Sequence, residues 1–254
     1  MSRIADLTLT SYDADTAQQQ FPVVEALYQE VFAEPPHSEG AEEFELFATR
    51  WWPKQSAQPE FQLIVATLGD EPVGCTYGHR LPPDTAWWKG AVEPLPEDLT
   101  EEYEGRTAAL IEMMIRSDYR RRGIAAALHR AFCESRAEQR VTLTVRPDND
   151  PARAGYAKWG YRKVGQIRPA RRAPVYDAMI LDLYPAVDGA GGRLKASQRT
   201  RTPLPGLRRS DSSVSGAESA LQHRGSRTRL PTCLVLCRSP CVAPETAPTP
   251  TAPT

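Results

Sequence analysis

The last aromatic residue of this 254-residue chain is Tyr184, and the 69 residues from Ala186 to Thr254 hold no Phe, Trp or Tyr. Pro, Ser, Thr and Gly supply 30 of those 69. Such a segment buries too little apolar surface to offset the entropy of ordering it. The sequence therefore predicts one globular domain over residues 1–185 and a disordered extension over 186–254. A domain of that length can enclose a sizeable core.

Charge divides at the same place. The extension carries 10 Lys and Arg against 4 Asp and Glu, and the rest of the chain 21 against 28. An acidic domain points away from nucleic acid as the main partner and towards a cationic substrate. The basic extension could touch anionic surfaces loosely, although a dispensable tail is the simpler expectation. Cys75 and Cys133 lie in apolar stretches and read as core residues. Cys233, Cys237 and Cys241 recur every four residues, with His223 the sole histidine of the tail and no CxxC pair, so no metal site is expected. An odd cysteine count without a disulfide framework suits a reducing compartment, hence a cytoplasmic setting. The start, "MSRIADLTLTSYDAD", has no apolar signal region, and no run nears the roughly 20 apolar residues of a membrane span.

Periodicity predicts a strand at 4–10, helices at 20–32 and 41–52, and strands at 61–68 and 72–80 joined by a turn at Gly69-Asp70-Glu71. The stretch 82–106 contains Pro82, Pro83, Pro94 and Pro96, which exclude regular structure through much of it. Its Trp87 and Trp88 suit either a substrate lid or local packing. "AALIEMMI" (108–115) is nearly unbroken apolar sequence and reads as a central strand buried on both faces. Alternation puts its one charge, Glu112, on a face with Leu110 and Met114. A helix follows with Ile124, Leu128 and Phe132 on one side, then a strand at 141–145. Asp150-Pro151 predicts a helix start with the carboxylate as cap and proline in the first turn. That helix stops near Gly160, and two strands close the domain. The class is α/β or α+β, with a mixed, mostly antiparallel sheet of about seven strands and about four helices.

Between the central strand and its helix stands "SDYRRRGIAAA". Arg120, Arg121, Arg122, Gly123, Ile124, Ala125 and Ala126 lead directly into the helix. Successive backbone N–H groups there converge next to the positive end of the helix dipole, a geometry that binds phosphate. Gly123 lets the backbone approach a ligand closely. One arginine could add a two-pronged contact to phosphate oxygens. An ordinary basic loop before a helix fits the same residues equally well.

Arg120-x-x-Gly123-x-Ala125 resembles the coenzyme A pyrophosphate motif of the GNAT acyltransferases, Gln/Arg-x-x-Gly-x-Gly/Ala. "NDPARAGYAKWGYRKVG" resembles that family's next helix and strand, through Asn149, Ala152, Tyr156, Gly160 and Tyr161. The motifs stand 29 residues apart, from Arg120 to Asn149. The element order also agrees over residues 1–185.

The resemblance implies a GNAT-like fold and acetyl transfer from acetyl-CoA to an amine of a small molecule or peptide. It implies that Arg120 to Ala126 and Asn149 serve the cofactor. It gives the backbone of Met114 and Ile115 to the pantetheine arm, one of their N–H groups being the oxyanion donor. Tyr156 matches the family's proton donor to the leaving thiolate, and a phenol of ordinary pKa near 10 stays protonated at neutral pH. Glu112 is the candidate base for the amine, against a structural ion pair. Gly155 stands where the family usually has a bulky apolar residue, which leaves less packing around Tyr156. A non-catalytic acyl-CoA sensor whose tail meets a partner is the alternative. Nucleic-acid binding through the arginines is the weakest reading. A homodimer is compatible with all three, and none needs a membrane.

Overall fold

The computed structural model describes residues 6–35, 37–169, 173–184 and 207–209. The chain opens with strand β1 (Leu7–Tyr12) and a short helix α1 (Ala14–Ala17). Asp13 caps α1 by accepting the Thr16 N–H at 3.0 Å. Helix α2 (Phe21–Phe32) follows, its Val24, Leu27, Tyr28 and Val31 buried at helical spacing. The helix expected at 41–52 is α3 (Ala41–Leu46), a π-helical turn (Phe47–Trp51) and α4 (Trp52–Ser56) in one run. Pro53 has no N–H to continue the α pattern, and the wider turn just before it absorbs the mismatch.

The hairpin β2 (Gln62–Leu68) and β3 (Glu71–Arg80) comes next, with Gly69 at φ +61° in its tight turn. The long connector, with one short helix α5 (Glu97–Thr100), leads to β4 (Thr107–Ile115). Then come α6 (Ile124–Glu134), β5 (Arg140–Val145), α7 (Asp150–Lys158), β6 (Arg162–Ile167) and β7 (Tyr176–Asp182). The strand order is β6-β7-β5-β4-β3-β2-β1-β8, where β8 is Leu207–Arg209. The seven expected strands are antiparallel to their neighbours except at β4–β5, the pair that α6 bridges. The eighth, β8, runs parallel to β1 at the sheet edge. The rest of the expected tail, including its three cysteines, lies outside the described residues. Among the described residues no helix is long and apolar enough to cross a membrane.

Each face of the sheet carries its own core. On one face α2 to α4 and the connector pack over Tyr77, Ala109, Ile111 and Met114. On the other, α6 and α7 pack over Ala108, Leu110, Met113 and Ile115. Simple alternation along β4 therefore fails. Tyr77 is opposite Glu112 while Gly78 is opposite Leu110, so Ile111 is an extra residue and β4 bulges there. Ile111 and Glu112 consequently share a face, and Glu112 is grouped with Met114 but not with Leu110.

The connector is a packed element. Trp87 and Trp88 are buried in the first core, which decides between the two alternatives in favour of local packing. Glu102 anchors Trp88: its Oε1 accepts from Trp88 Nε1, the Thr107 hydroxyl and Arg140 Nη2, each at 2.9 Å. The Arg140–Glu102 pair is almost fully enclosed, at 7% and 1% side-chain exposure. Farther along, Gly90 and Val92 bond to the backbone of Arg168 and Gln166 in the manner of an added strand, at 2.7 and 2.9 Å. The connector thus crosses from β3 to the β6 edge before returning to β4.

Candidate cofactor and active site

The site starts where β4 and β5 part. Their parallel pairing covers Thr107–Ala109 against Arg140–Thr142 and stops, although β4 runs on to Ile115 and β5 to Val145. A slot opens in the plane of the sheet. Which β4 groups line it follows from the ladder with β3. Arg116 donates its N–H to Val73 O at 3.0 Å. Antiparallel bonding alternates, so Met114, paired with Cys75, also directs its N–H and C=O at β3. The residues between, Met113 and Ile115, direct theirs into the slot. The structure thus keeps Ile115 as a lining residue, replaces Met114 by Met113, and leaves the Met114 N–H inside the sheet. The Thr76 hydroxyl donates to the Glu112 carbonyl at 2.8 Å, a buried bond that pins the bulge.

At the head of the slot the chain turns through Ser117–Tyr119 into the arginine run. Arg121 sits at φ +60° and Gly123 at φ +87°, two left-handed residues flanking Arg122. This alternation curls the backbone into a concavity of N–H groups. The first bond of α6 is from Ala127 N–H to Gly123 O at 3.0 Å. The amides of Ile124, Ala125 and Ala126 therefore have no acceptor within the helix, and Gly123 supplies no side-chain cap. They form the open positive end of the helix.

The arginine side chains are placed differently from their amides. Arg120 is buried: its Nε donates to Ile115 O at 3.0 Å and its Nη1 to Glu34 Oε2 at 2.7 Å. It ties the loop to the end of β4 and to the residues after α2. Its own N–H donates to Ser117 O. The Arg122 guanidinium lies 5.1 Å from the centre of the Tyr119 ring. Arg116, absent from the expected set, bonds Glu30 at 2.9 Å and Glu71 at 2.6 Å. The open N–H groups of the loop run from Arg121 to Ala126, while the Arg120 side chain is committed to holding the loop in place.

Asn149 is the N-cap of α7: its Oδ1 accepts from Ala152 N–H at 3.2 Å. This moves the cap back from Asp150, and Pro151 falls at the second helical position, where its missing N–H still costs nothing. Tyr156, two turns on, is fully buried among Trp159, Tyr161 and the α6 residues Ile124 and Leu128. Glu112 is also buried, on the opposite face of the sheet. The two expected catalytic residues are thus not clustered and flank the sheet from either side. Burial, followed by the charge of Glu112, pushes the Cys75 thiol far above its ordinary range, so Cys75 is an inert core residue. Among the described residues no group of three His, Cys, Asp or Glu is arranged to hold a metal ion.

A sequence model of the acetyltransferase (GNAT) family matches residues 24–161. The chain belongs to the GNAT family. That match spans more than half of the protein, including both motifs. No curated protein sequence matches the chain. Solved structures similar to this GNAT chain include the ribosomal-protein-S18-alanine N-acetyltransferase of Escherichia coli. It is 17% identical, with 74% of this chain and 99% of that chain covered and a TM-score of 0.49. Aminoglycoside 6'-acetyltransferase type Ii is 17% identical over 70% of this chain and 97% of that one, at 0.48. Ard1 from Thermoplasma volcanium is 19% identical over 70% and 98%, at 0.45. The family assignment rests on the sequence match and not on these likenesses.

Met113 could have been found only by knowing how β4 pairs with β3. Glu34 and Arg116 carry no signal in the local sequence, because their partners lie 45 or 86 residues away.

Proposed function

We propose that this GNAT chain transfers an acetyl group from acetyl-CoA to a primary amine of a small molecule or peptide. One observation carries the proposal. The left-handed turn at Gly123 stands at the head of a slot lined by β4 backbone that β5 leaves unpaired, with the Ile115 carbonyl held by Arg120. Coenzyme A has a doubly charged pyrophosphate followed by an arm with two amides, and this groove offers the matching partners in the same order. The amides of Arg121 to Ala126 take the pyrophosphate. Met113 and the Ile115 N–H pair with the arm as a strand pairs with a peptide, the Ile115 carbonyl being held by Arg120.

The thioester carbonyl then lies beside the bulge, and a slot-facing N–H of β4 holds its oxygen as charge develops. The neutral amine attacks the carbonyl carbon and forms the C–N bond. The C–S bond breaks, the amine proton passes to Glu112, and the CoA thiolate takes the Tyr156 proton. Both groups return to their starting states through solvent. Asn149 serves the cofactor indirectly, by fixing the start of the helix that carries Tyr156.

Burial of Tyr156 in an aromatic cluster favours a second reading, an acyl-CoA sensor in which this residue only packs. Thiol release from acetyl-CoA, measured with a panel of amines, separates the two. For an enzyme, Tyr156→Phe lowers kcat by about a hundredfold or more while CoA affinity stays within twofold. Tight CoA binding with no release for any amine, in wild type as in the variant, leaves the sensor.

A further inference from the structure

The anion loop holds a backbone conformation that its own residues do not favour. Arg121 sits at φ +60°, and a residue with a side chain stays left-handed only where its surroundings fix the chain on either side. After it, Gly123 and the first turn of α6 hold the backbone. Before it stands Arg120, which is fixed at three points. Its N–H donates to Ser117 O at 3.2 Å, its Nε to Ile115 O at 3.0 Å and its Nη1 to Glu34 Oε2 at 2.7 Å.

The Ile115 carbonyl is directed into the slot, so the Arg120 guanidinium lies where the slot meets the loop. Its side chain is only 5% exposed. A guanidinium enclosed to that degree requires a carboxylate, and Glu34 is its ion-pair partner. Deprived of that partner, the charge turns out towards water and gives up the bond to Ile115 as well. Glu34 therefore decides where Arg120 lies. Glu30 and Glu71 stand near the same loop but differ in kind. They bond Arg116 and are 40% and 50% exposed, so their ion pairs are screened surface contacts.

We propose that Glu34 is a positioning residue for the cofactor. Through Arg120 it holds the loop in the shape that presents the amides of Arg121 to Ala126 to the pyrophosphate, although its own charge repels that ligand. The inference deepens the proposed function and rests on the placement of the pyrophosphate at this loop. Charge and position make opposite demands on Glu34. By charge alone, removing a carboxylate beside an anion site tightens binding. If Arg120 were itself a phosphate ligand, its release from Glu34 would tighten binding further. If Glu34 positions the loop, its removal weakens binding.

The test uses the full chain, with calorimetric titration by CoA and thiol release from acetyl-CoA over a panel of amines. Glu34→Ala should weaken CoA binding by about tenfold. Glu34→Gln keeps an acceptor oxygen for Arg120 and should lose less, and it carries the comparison if the alanine variant does not fold. Glu30→Gln makes the same change of charge and should leave CoA affinity within about twofold of wild type or slightly tighter. In an Arg120→Met background Glu34→Ala should add less than about twofold, because its route to the loop is gone. In turnover the KM for acetyl-CoA should rise while kcat stays within about twofold, a split that general loosening of the domain would not give. CoA binding by the Glu34 variants as tight as wild type or tighter, an equal loss in Glu30→Gln, or an undiminished effect in the Arg120→Met background would overturn the proposal. The two readings fail separately. If binding follows this pattern and no amine releases thiol, acetyl transfer falls and the role of Glu34 stands. If thiol is released and the Glu34 variants bind CoA like wild type, transfer stands and the role of Glu34 falls. A wild type that binds no CoA overturns both.

Discussion

Gly123→Ala isolates the backbone of the anion loop from its charge. Gly123 sits at φ +87°, and a Cβ built there meets no atom within 4 Å. Steric repulsion from neighbours is therefore absent, and the penalty is that of a left-handed alanine, about 1–2 kcal/mol. In a domain of 150–250 residues each kcal/mol lowers Tm by roughly 2–4 °C. The variant should melt about 2–8 °C below wild type. The chain has one way to escape this penalty, which is to rotate Gly123 out of the left-handed region. That rotation turns the Ile124 and Ala125 amides away from their common focus. CoA affinity should then fall by about tenfold while Tm recovers. The two readouts trade against each other, and at least one must move. Thermal unfolding and calorimetric titration with CoA on the same preparation measure both. If Tm and CoA affinity both match wild type, the conformation of Gly123 matters to neither stability nor binding, and the backbone account of the loop is wrong.

Gly155→Ala is the opposite case. Gly155 lies inside α7 with nothing within 4 Å of a Cβ, so alanine should raise stability by up to about 1 kcal/mol, read as a higher urea midpoint at unchanged slope. A lower midpoint would mean that α7 tightens against something at this position. Acid should destabilise the protein through two histidines buried among the described residues. His79 and His129 have pKa values lowered to about 4 by burial, against about 6.5 when unfolded. The unfolded chain binds the extra protons, so each contribution is complete above pH 6.5 and fades as pH falls towards 4. Between pH 7.5 and 5.0 each histidine should account for on the order of 2 kcal/mol, and His129→Gln should flatten the measured pH slope by that amount. Parallel slopes for wild type and variant would show that His129 is not held neutral.

Features whose physics is local were legible in the sequence. A glycine preceding two alanines at the start of a helix must present free amides, whatever lies around it, and the structure has them at Ile124 to Ala126. The uninterrupted apolar run of β4 could only be a central strand, and every residue from Thr107 to Ile115 is buried. What failed was parity. One extra residue at Ile111 moved Glu112 from the face of Leu110 to that of Ile111. The side that each β4 amide faces, in turn, is decided by the pairing with β3, and no periodicity within β4 encodes it. The cap of α7 was ambiguous for a different reason. Asn149 and Asp150 are both good caps, and proline is accepted at either of the two following positions, so the choice fell to burial of Asn149. Trp88 was undecidable because its partners, Glu102 and Arg140, lie 14 or more residues along the chain.

The separation of Glu112 and Tyr156 onto opposite faces looks at first like an obstacle to their acting together. In a closed sheet it would be one, since roughly 10 Å of packed side chains and backbone would lie between them. This sheet is not closed at that point, because β4 and β5 stop pairing at Ala109 and Thr142. A thioester lying in the gap is in the plane of the sheet and can be reached from both faces. Acyl transfer to an amine favours such a layout. The nucleophile approaches one side of a planar carbonyl, and the proton for the leaving sulfur has to come from elsewhere. In the proposed reaction the bulge at Ile111 is therefore the decisive feature of β4. It brings a carboxylate to the face opposite Tyr156, and without it Glu112 would face α6, with both groups on one side of the carbonyl.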